Sequence, residues 1–318
     1  MITLEHVTKK YGNRTALQDV SIQIGRGRTA GILGRNGAGK TTALNLMTGY
    51  FPPDSGRVLI DGTDMMLHPE ECKRKIGYLP EKPPLYDEMT VYDYLSFVSD
   101  LREVKAGERK KHVTEIMEIC FLKETGGRVI GNLSKGYRQR VGIAQALCGN
   151  PEILILDEPT AGLDPMQTVE IRQLIRELGK EHTILFSSHI LSEVQQLCTH
   201  AVILHEGKLI RSFDLRSGGN EETAGTGAKI QYRLSAAGKE EEILSAVRSI
   251  ACVQKAEALH RREAGTAEIL ITGYRGDERG PLTDQLFHLL AAMDAPIRQL
   301  VQEKDDLETI FLQATADR

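Results

Sequence analysis

Eight consecutive residues, Gly34-Arg35-Asn36-Gly37-Ala38-Gly39-Lys40-Thr41, constrain this chain more than anything else in it. They match G-x-x-x-x-G-K-[ST] at every fixed position. An apolar segment, Thr29 to Leu33, precedes them, and a helical pattern from Thr41 to Thr48 follows, ending at Gly49. A strand turning through a glycine-rich loop into a helix is the setting in which that spacing has a physical meaning. Glycines let backbone N–H groups close around phosphate oxygens, and the helix N-terminus adds partial positive charge. Gly34, Asn36, Gly37 and Gly39 are the expected cradle; Lys40 reaches the β- and γ-phosphates, Thr41 binds Mg²⁺ through its hydroxyl, and Thr42 is a further phosphate donor. The fold implied is α/β, of the P-loop NTPase kind, with a nucleoside triphosphate and Mg²⁺ as ligands.

Two further strand ends carry polar groups to the same place. The run Ile153-Leu154-Ile155-Leu156 suits a strand covered on both faces and delivers Asp157 and Glu158 at its carboxyl end. Asp157 is expected to hold the metal, and Glu158 to act as general base for the attacking water. Thr183 to Ser188 repeats the design and ends at His189, expected to touch the γ-phosphate.

The remaining composition narrows the setting. Among 318 residues, 40 Lys and Arg against 44 Asp and Glu leave a net charge of −4, which argues against bulk attraction to nucleic acid or anionic lipid. Apolar runs fall far short of the ~20 residues that cross a bilayer, and the N-terminal sequence lacks a secretory pattern, so a cytosolic protein is expected. The 5 cysteines are scattered, as buried thiols in a reducing compartment would be. After an α/β domain over residues 1–214, the segment 215–229 carries almost no large apolar side chain and reads as a linker. Residues 230–318 form the last domain. Ile230, Tyr232 and Leu234 alternate as a strand, and Ile243, Leu244, Val247 and Ile250 share a helical face. Strands at Val253 to Leu259 and Glu268 to Tyr274, a helix bearing Leu282, Leu286, Leu289, Leu290 and Met293, and a strand from Ile297 to Gln302 complete a ferredoxin-like β-α-β-β-α-β order. A final helix carries Leu307, Ile310 and Phe311. Docking or dimerisation is the expected role of this α+β domain.

With Leu133-Ser134-Lys135-Gly136-Tyr137 upstream of Asp157, residues 1–214 resemble the ATP-binding cassette family. The resemblance implies a RecA-like core, an antiparallel β subdomain and a helical subdomain bearing the signature segment. It implies that Ser134 and Gly136 contact the γ-phosphate held by a second copy, that Tyr11 stacks on adenine, and that Asp164 lies in a loop communicating between copies. In Ile76-Gly77-Tyr78-Leu79-Pro80-Glu81, Glu81 stands where the family usually has glutamine. It keeps an oxygen for Mg²⁺ and water but loses an amide donor and adds a negative charge. The Lys-Gly-Tyr signature and the Gly-Tyr-Leu-Pro-Glu segment are similar to those of the gliding-motility, drug, sodium and copper-processing exporter type.

One phosphate loop and one signature per chain imply a head-to-tail homodimer with two ATP molecules between the copies. The resemblance further implies a separately encoded membrane permease, met by Leu79 to Thr90 and the helix around Val91 to Leu101, and hence a cytoplasmic protein held peripherally at the inner face of the membrane. A rival reading is a soluble, non-transport cassette acting on ribosomes or nucleic acid. A silent regulatory module is disfavoured by the presence of Lys40, Asp157, Glu158 and His189 together.

Overall fold

Four aliphatic side chains in a row leave no polar face, so a strand built from Ile153-Leu154-Ile155-Leu156 is stable only when covered on both sides. In the computed structural model this segment is buried throughout and lies within a six-stranded sheet. The structure describes residues 1–215, 229–259, 266–274, 276–277 and 279–303. These fall into two compact units, residues 1–215 and the described part of 229–303.

The first unit opens with β1 (Ile2–Tyr11) and β2 (Arg14–Ile24), then β3 (Thr29–Leu33), the phosphate loop and α1 (Lys40–Met47). Next come β4 (Ser55–Ile60), β5 (Thr63–Asp64), α2 (Pro69–Arg74) and β6 (Ile76–Leu79). A helical section follows: α3 (Val91–Leu101), α4 (Ala106–Ile119) and α5 (Lys135–Leu147). The unit closes with β7 (Ile153–Leu156), α6 (Pro165–Leu178), β8 (Thr183–Ser188), α7 (Leu191–Leu197), β9 (His200–His205) and β10 (Lys208–Asp214).

The larger sheet has the order β10-β9-β3-β8-β7-β6, parallel except for β10. The smaller, β2-β1-β4-β5, is antiparallel. Because β3, β7 and β8 are buried along their whole length, their chemistry begins only past their last residues. Register makes those ends level: Leu33 pairs with Ser188, and Leu156 pairs with both Phe186 and Leu79. Gly34, His189, Asp157 and the approach to Glu81 therefore share the carboxyl edge, where open α/β sheets bind ligands.

One apolar cluster joins the two sheets through α1. Ile2, Leu4 and Ile60 of the smaller sheet meet Leu44 and Met47 of α1, and Ile32, Ile155 and Leu185 of the larger. Each such side chain contributes about 1.5–3 kcal/mol by leaving water. In the helical section, Thr90 caps α3 by accepting from the Asp93 N–H at 3.1 Å, and the Tyr94 hydroxyl donates to Gln145 of α5 at 2.8 Å. All five cysteines are buried, and none is in a disulfide. Among the described residues no helix is long and apolar enough to cross a membrane.

The second unit comprises β11 (Lys229–Ala237), α8 (Glu240–Arg248), β12 (Val253–Ala258), β13 (Thr266–Tyr274), the short pair β14 (Gly276–Asp277) and β15 (Gly280–Pro281), α9 (Leu282–Ala292) and β16 (Ile297–Glu303). Its four-stranded sheet is antiparallel in the order β12-β13-β11-β16. Alternation does the packing: Ile230, Leu234, Ala267, Ile269 and Ile271 turn inward onto Ile243 and Val247 of α8 and Leu282, Leu286 and Leu290 of α9. The expected linker, apart from its end residues 215 and 229, and the last helix with Leu307, Ile310 and Phe311 lie outside the described residues.

Candidate functional site

The loop after β3 is built around contacts that exclude a side chain. A Cβ on Gly34 would lie 2.6 Å from the Leu204 carbonyl oxygen. At Gly39 the backbone is left-handed, with φ of 104°, and a Cβ would lie 2.8 Å from the Ala16 oxygen. Helix α1 starts immediately afterwards, so its free N–H groups face the loop. Lys40 is 6% exposed; its Nζ donates to the Gly34 carbonyl at 2.8 Å and pairs with Glu158 Oε1 at 3.1 Å.

Past β7, Asp157 is 1% exposed and accepts from the Ser187 hydroxyl at 2.5 Å. Burial pushes its pKa up, opposed by the Ser187 hydrogen bond and the nearby Thr41 hydroxyl and reinforced by the Glu158 and Glu81 charges. Its other oxygen, Oδ2, is buried and completes no hydrogen bond of ordinary geometry. An orphaned carboxylate oxygen next to a threonine hydroxyl is a hard-oxygen donor pair, which fits Mg²⁺. No three His, Cys, Asp or Glu side chains converge as a metal cluster among the described residues, so such an ion would depend on phosphate oxygens and water for its other ligands.

Glu158 adopts φ of 47°, a left-handed conformation costing a non-glycine residue about 1–2 kcal/mol. Three contacts hold it. Its N–H donates to Ser187 Oγ at 2.8 Å, Oε1 pairs with Lys40, and Oε2 lies 2.9 Å from His189 Nδ1. A strained residue fixed from both ends, with an acid and an imidazole in contact, is a constellation suited to orienting water and moving its proton.

Lys40, Glu158 and His189 open on a cleft of about 680 Å³ whose lining also includes Tyr11, Asn36, Gly37, Gly39, Thr41, Thr42 and Glu81; Gly34 and the buried Asp157 are not part of that lining. Tyr11 is 44% exposed at the end of β1 and makes an edge-to-face contact with Phe51, leaving ring surface for a planar partner. Two cationic residues that the motifs do not identify also line the cleft, Arg14 and Arg35. Arg14 arrives through the β1–β2 hairpin, in which Tyr11 pairs with Arg14. Arg35 fills a variable position of the phosphate motif, so the motif carries no expectation for it.

Other expected residues lie elsewhere. Ser134 is the exposed N-cap of α5, and its hydroxyl makes no bond to its own helix. Gly136 is buried against Gln167, whose side chain a Cβ would meet at 2.7 Å. Asp164 is the N-cap of α6, accepting from the Gln167 N–H at 2.8 Å. None of the three lines the phosphate cleft of its own chain. For Asp164 the local reason is plain: the sequence Asp164-Pro165 is a helix start, and its carboxylate is engaged there.

The family described as ABC transporter matches residues 17–161. The chain is 41% identical over 215 residues to the bacitracin transport ATP-binding protein BcrA of Bacillus licheniformis, covering 67% of this chain and 69% of that protein. Among solved structures, cbiO1 from Clostridium perfringens, described as part of the ABC transporter complex cbiONQ, superposes with a TM-score of 0.63 at 31% identity, covering 68% of this chain and 89% of that one. The dimeric structure of MJ0796, a bacterial ABC transporter cassette, gives 0.62 at 29% identity, covering 68% and 99%.

Proposed function

This chain belongs to the ABC transporter ATP-binding proteins, and we propose that it is the Mg²⁺-dependent ATPase subunit of an exporter that drives a separately encoded membrane permease. The observation that carries the proposal is the Lys40–Glu158–His189 chain of contacts at the mouth of the phosphate loop.

In the proposed reaction Lys40 turns from Glu158 to the β- and γ-phosphates, which frees Glu158 Oε1. That atom orients the attacking water and takes its proton, while Oε2 stays on His189 Nδ1. His189 holds the base in place through Nδ1, and a proton on its other ring nitrogen would donate to a γ-phosphate oxygen. Asp157, Thr41 and Glu81 would hold Mg²⁺, which when bound neutralises charge on the phosphates. Tyr11 stacks on the base, and Arg14 and Arg35 add positive charge at the rim.

The position of Ser134 and Gly136, away from their own chain's cleft, supports a head-to-tail pair in which each signature closes the partner's site. The likeness to a dimeric cassette supports it too. Likeness to part of a transporter complex supports a permease partner. So does a groove of about 540 Å³ between α1, the segment after β6, α3 and α5, lined by Tyr50, Tyr78, Pro80, Pro84 and Val98. Exposed Tyr86 and Phe97 extend that apolar surface. On this reading the protein works at the inner membrane face through its partner, and relatives named for transport favour that over a ribosomal or nucleic-acid role. In the second unit, the β-α-β-β-α-β order and antiparallel sheet support a ferredoxin-like accessory domain.

The test is complementation. Lys40→Ala and Ser134→Glu should each abolish hydrolysis, and mixing the two chains should restore part of it, because one composite site in the mixed pair is intact. A mixture as inactive as its components would refute the shared site.

A further inference from the structure

One carboxylate of the first unit is buried almost completely without lining the cleft. Glu193, in the first turn of α7, is 1% exposed. Its Oε1 accepts from the Thr160 hydroxyl at 2.7 Å and pairs with Arg172 Nη2 at 3.1 Å. Its Oε2 accepts from the Ser188 hydroxyl at 2.7 Å. Thr160 and Ser188 are themselves 6% and 1% exposed, so water offers neither hydroxyl an easy substitute.

The partners belong to three different segments. Thr160 stands two residues after Glu158 in the turn leaving β7. Ser188 ends β8 and directly precedes His189. Arg172 lies on α6, the helix capped by Asp164. Burying an ionised carboxylate is costly unless it is paired and fully hydrogen-bonded, and a single arginine would meet the charge requirement. The two hydroxyls do something more: they fasten the loop of the general base and the loop of the histidine to one rigid point.

We propose that Glu193 is a positioning residue for hydrolysis, a role that rests on the ATPase reading above. Glu158 is in a left-handed conformation that only surrounding structure can maintain. Ser187 restrains its N–H side, and the Thr160–Glu193 bond restrains the turn on the other. The Ser188–Glu193 bond fixes the residue before His189. Together the two struts set the 2.9 Å contact between Glu158 and His189.

Steady-state ATP hydrolysis by the full chain, with kcat separated from KM, tests this. Glu193→Ala removes both struts and is expected to lower kcat roughly a hundredfold, the loss a misplacement of about 1 Å produces, with KM for ATP within about twofold of wild type. Alanine also strands the Arg172 guanidinium, so Thr160→Val and Ser188→Ala, which keep the ion pair, form the second arm. Each is expected to lower kcat roughly tenfold at unchanged KM. In a His189→Ala background the Ser188→Ala loss should vanish, because its route runs through His189. Wild-type kcat in both single variants, or a Ser188→Ala loss that multiplies with that of His189→Ala, overturns the positioning role alone. A wild-type chain that hydrolyses no ATP overturns the ATPase reading, and this role with it.

Discussion

Changing Glu158 to glutamine should separate binding from chemistry. The amide is isosteric and keeps an oxygen facing Lys40, but it accepts no proton. Loss of a general base costs about 10²–10⁴ in rate, and at ~1.36 kcal/mol per decade the barrier rises by roughly 2.7–5.4 kcal/mol. Binding should move the other way. Lys40 Nζ and Glu158 Oε1 are 3.1 Å apart, and at an effective dielectric constant of ~20 their attraction is about 5 kcal/mol. That attraction opposes the turn of Lys40 toward a phosphate. Solvent returns most of it as the pair opens, so a net release of about 1.4 kcal/mol, or a tenfold tighter Kd for ATP, is expected in the variant. Phosphate release measured over single turnovers and titration with a fluorescent ATP analogue read the two effects independently. A kcat within tenfold of wild type, or weaker ATP binding, would refute the reasoning that one carboxylate both restrains Lys40 and serves as the base.

Three other outcomes are expected. Gly39→Ala places a Cβ 2.8 Å from the Ala16 oxygen in a left-handed backbone, so it should cost about 1–3 kcal/mol of stability along with nucleotide affinity, read by thermal melts and titration; an unchanged melting temperature would contradict the geometry. Arg14→Ala and Arg35→Ala, at exposed positions on the cleft rim, should each weaken ATP binding only a few-fold, about 0.5–1 kcal/mol, and flatten its salt dependence, whereas salt dependence equal to wild type would remove them from the site. Asp157→Asn should abolish turnover yet stabilise the fold at neutral pH. The folded-state pKa of Asp157 is raised, so folding is penalised once the carboxyl ionises and unpenalised when it is protonated. The gain in melting temperature over wild type should therefore shrink as pH falls from the raised folded value to the ordinary carboxylate value near ~4, and a gain independent of pH would refute the cause.

Part of this site is legible in the sequence because certain residues can mean only one thing locally. Thr29 to Leu33, the glycine loop and the helix stopped by Gly49 fall where their chemistry requires, and the run before Asp157 could only be an interior strand. Arg14 is hidden from such reading: it lies well before the phosphate loop in sequence and reaches the cleft only through hairpin register, a tertiary fact. Glu193 reads as an ordinary acid on a short helix, and nothing local announces that Thr160, Ser188 and Arg172 converge on it. The left-handed turn at Glu158 is equally silent, since glutamate has no preference for it. Asp164 shows the opposite problem: Asp164-Pro165 is a plain helix-start signal, while the family resemblance places the same residue in a loop communicating between copies.

The position of β6 has a mechanical consequence. Among the described residues it ends the larger sheet and shares a ladder with β7 alone, whereas β3, β7 and β8 are each clamped between two neighbours. Glu81, on the segment that leaves β6, is thus an acid of the cleft carried by a strand with a single ladder, whose outer edge is met by the Arg102 guanidinium at the Ile76 carbonyl. On the proposed reading, a pull on residues 80–90 is expected to move that charge more readily than Asp157 or His189, which leave strands paired on both sides, so the sheet's margin would be where a partner tunes the site.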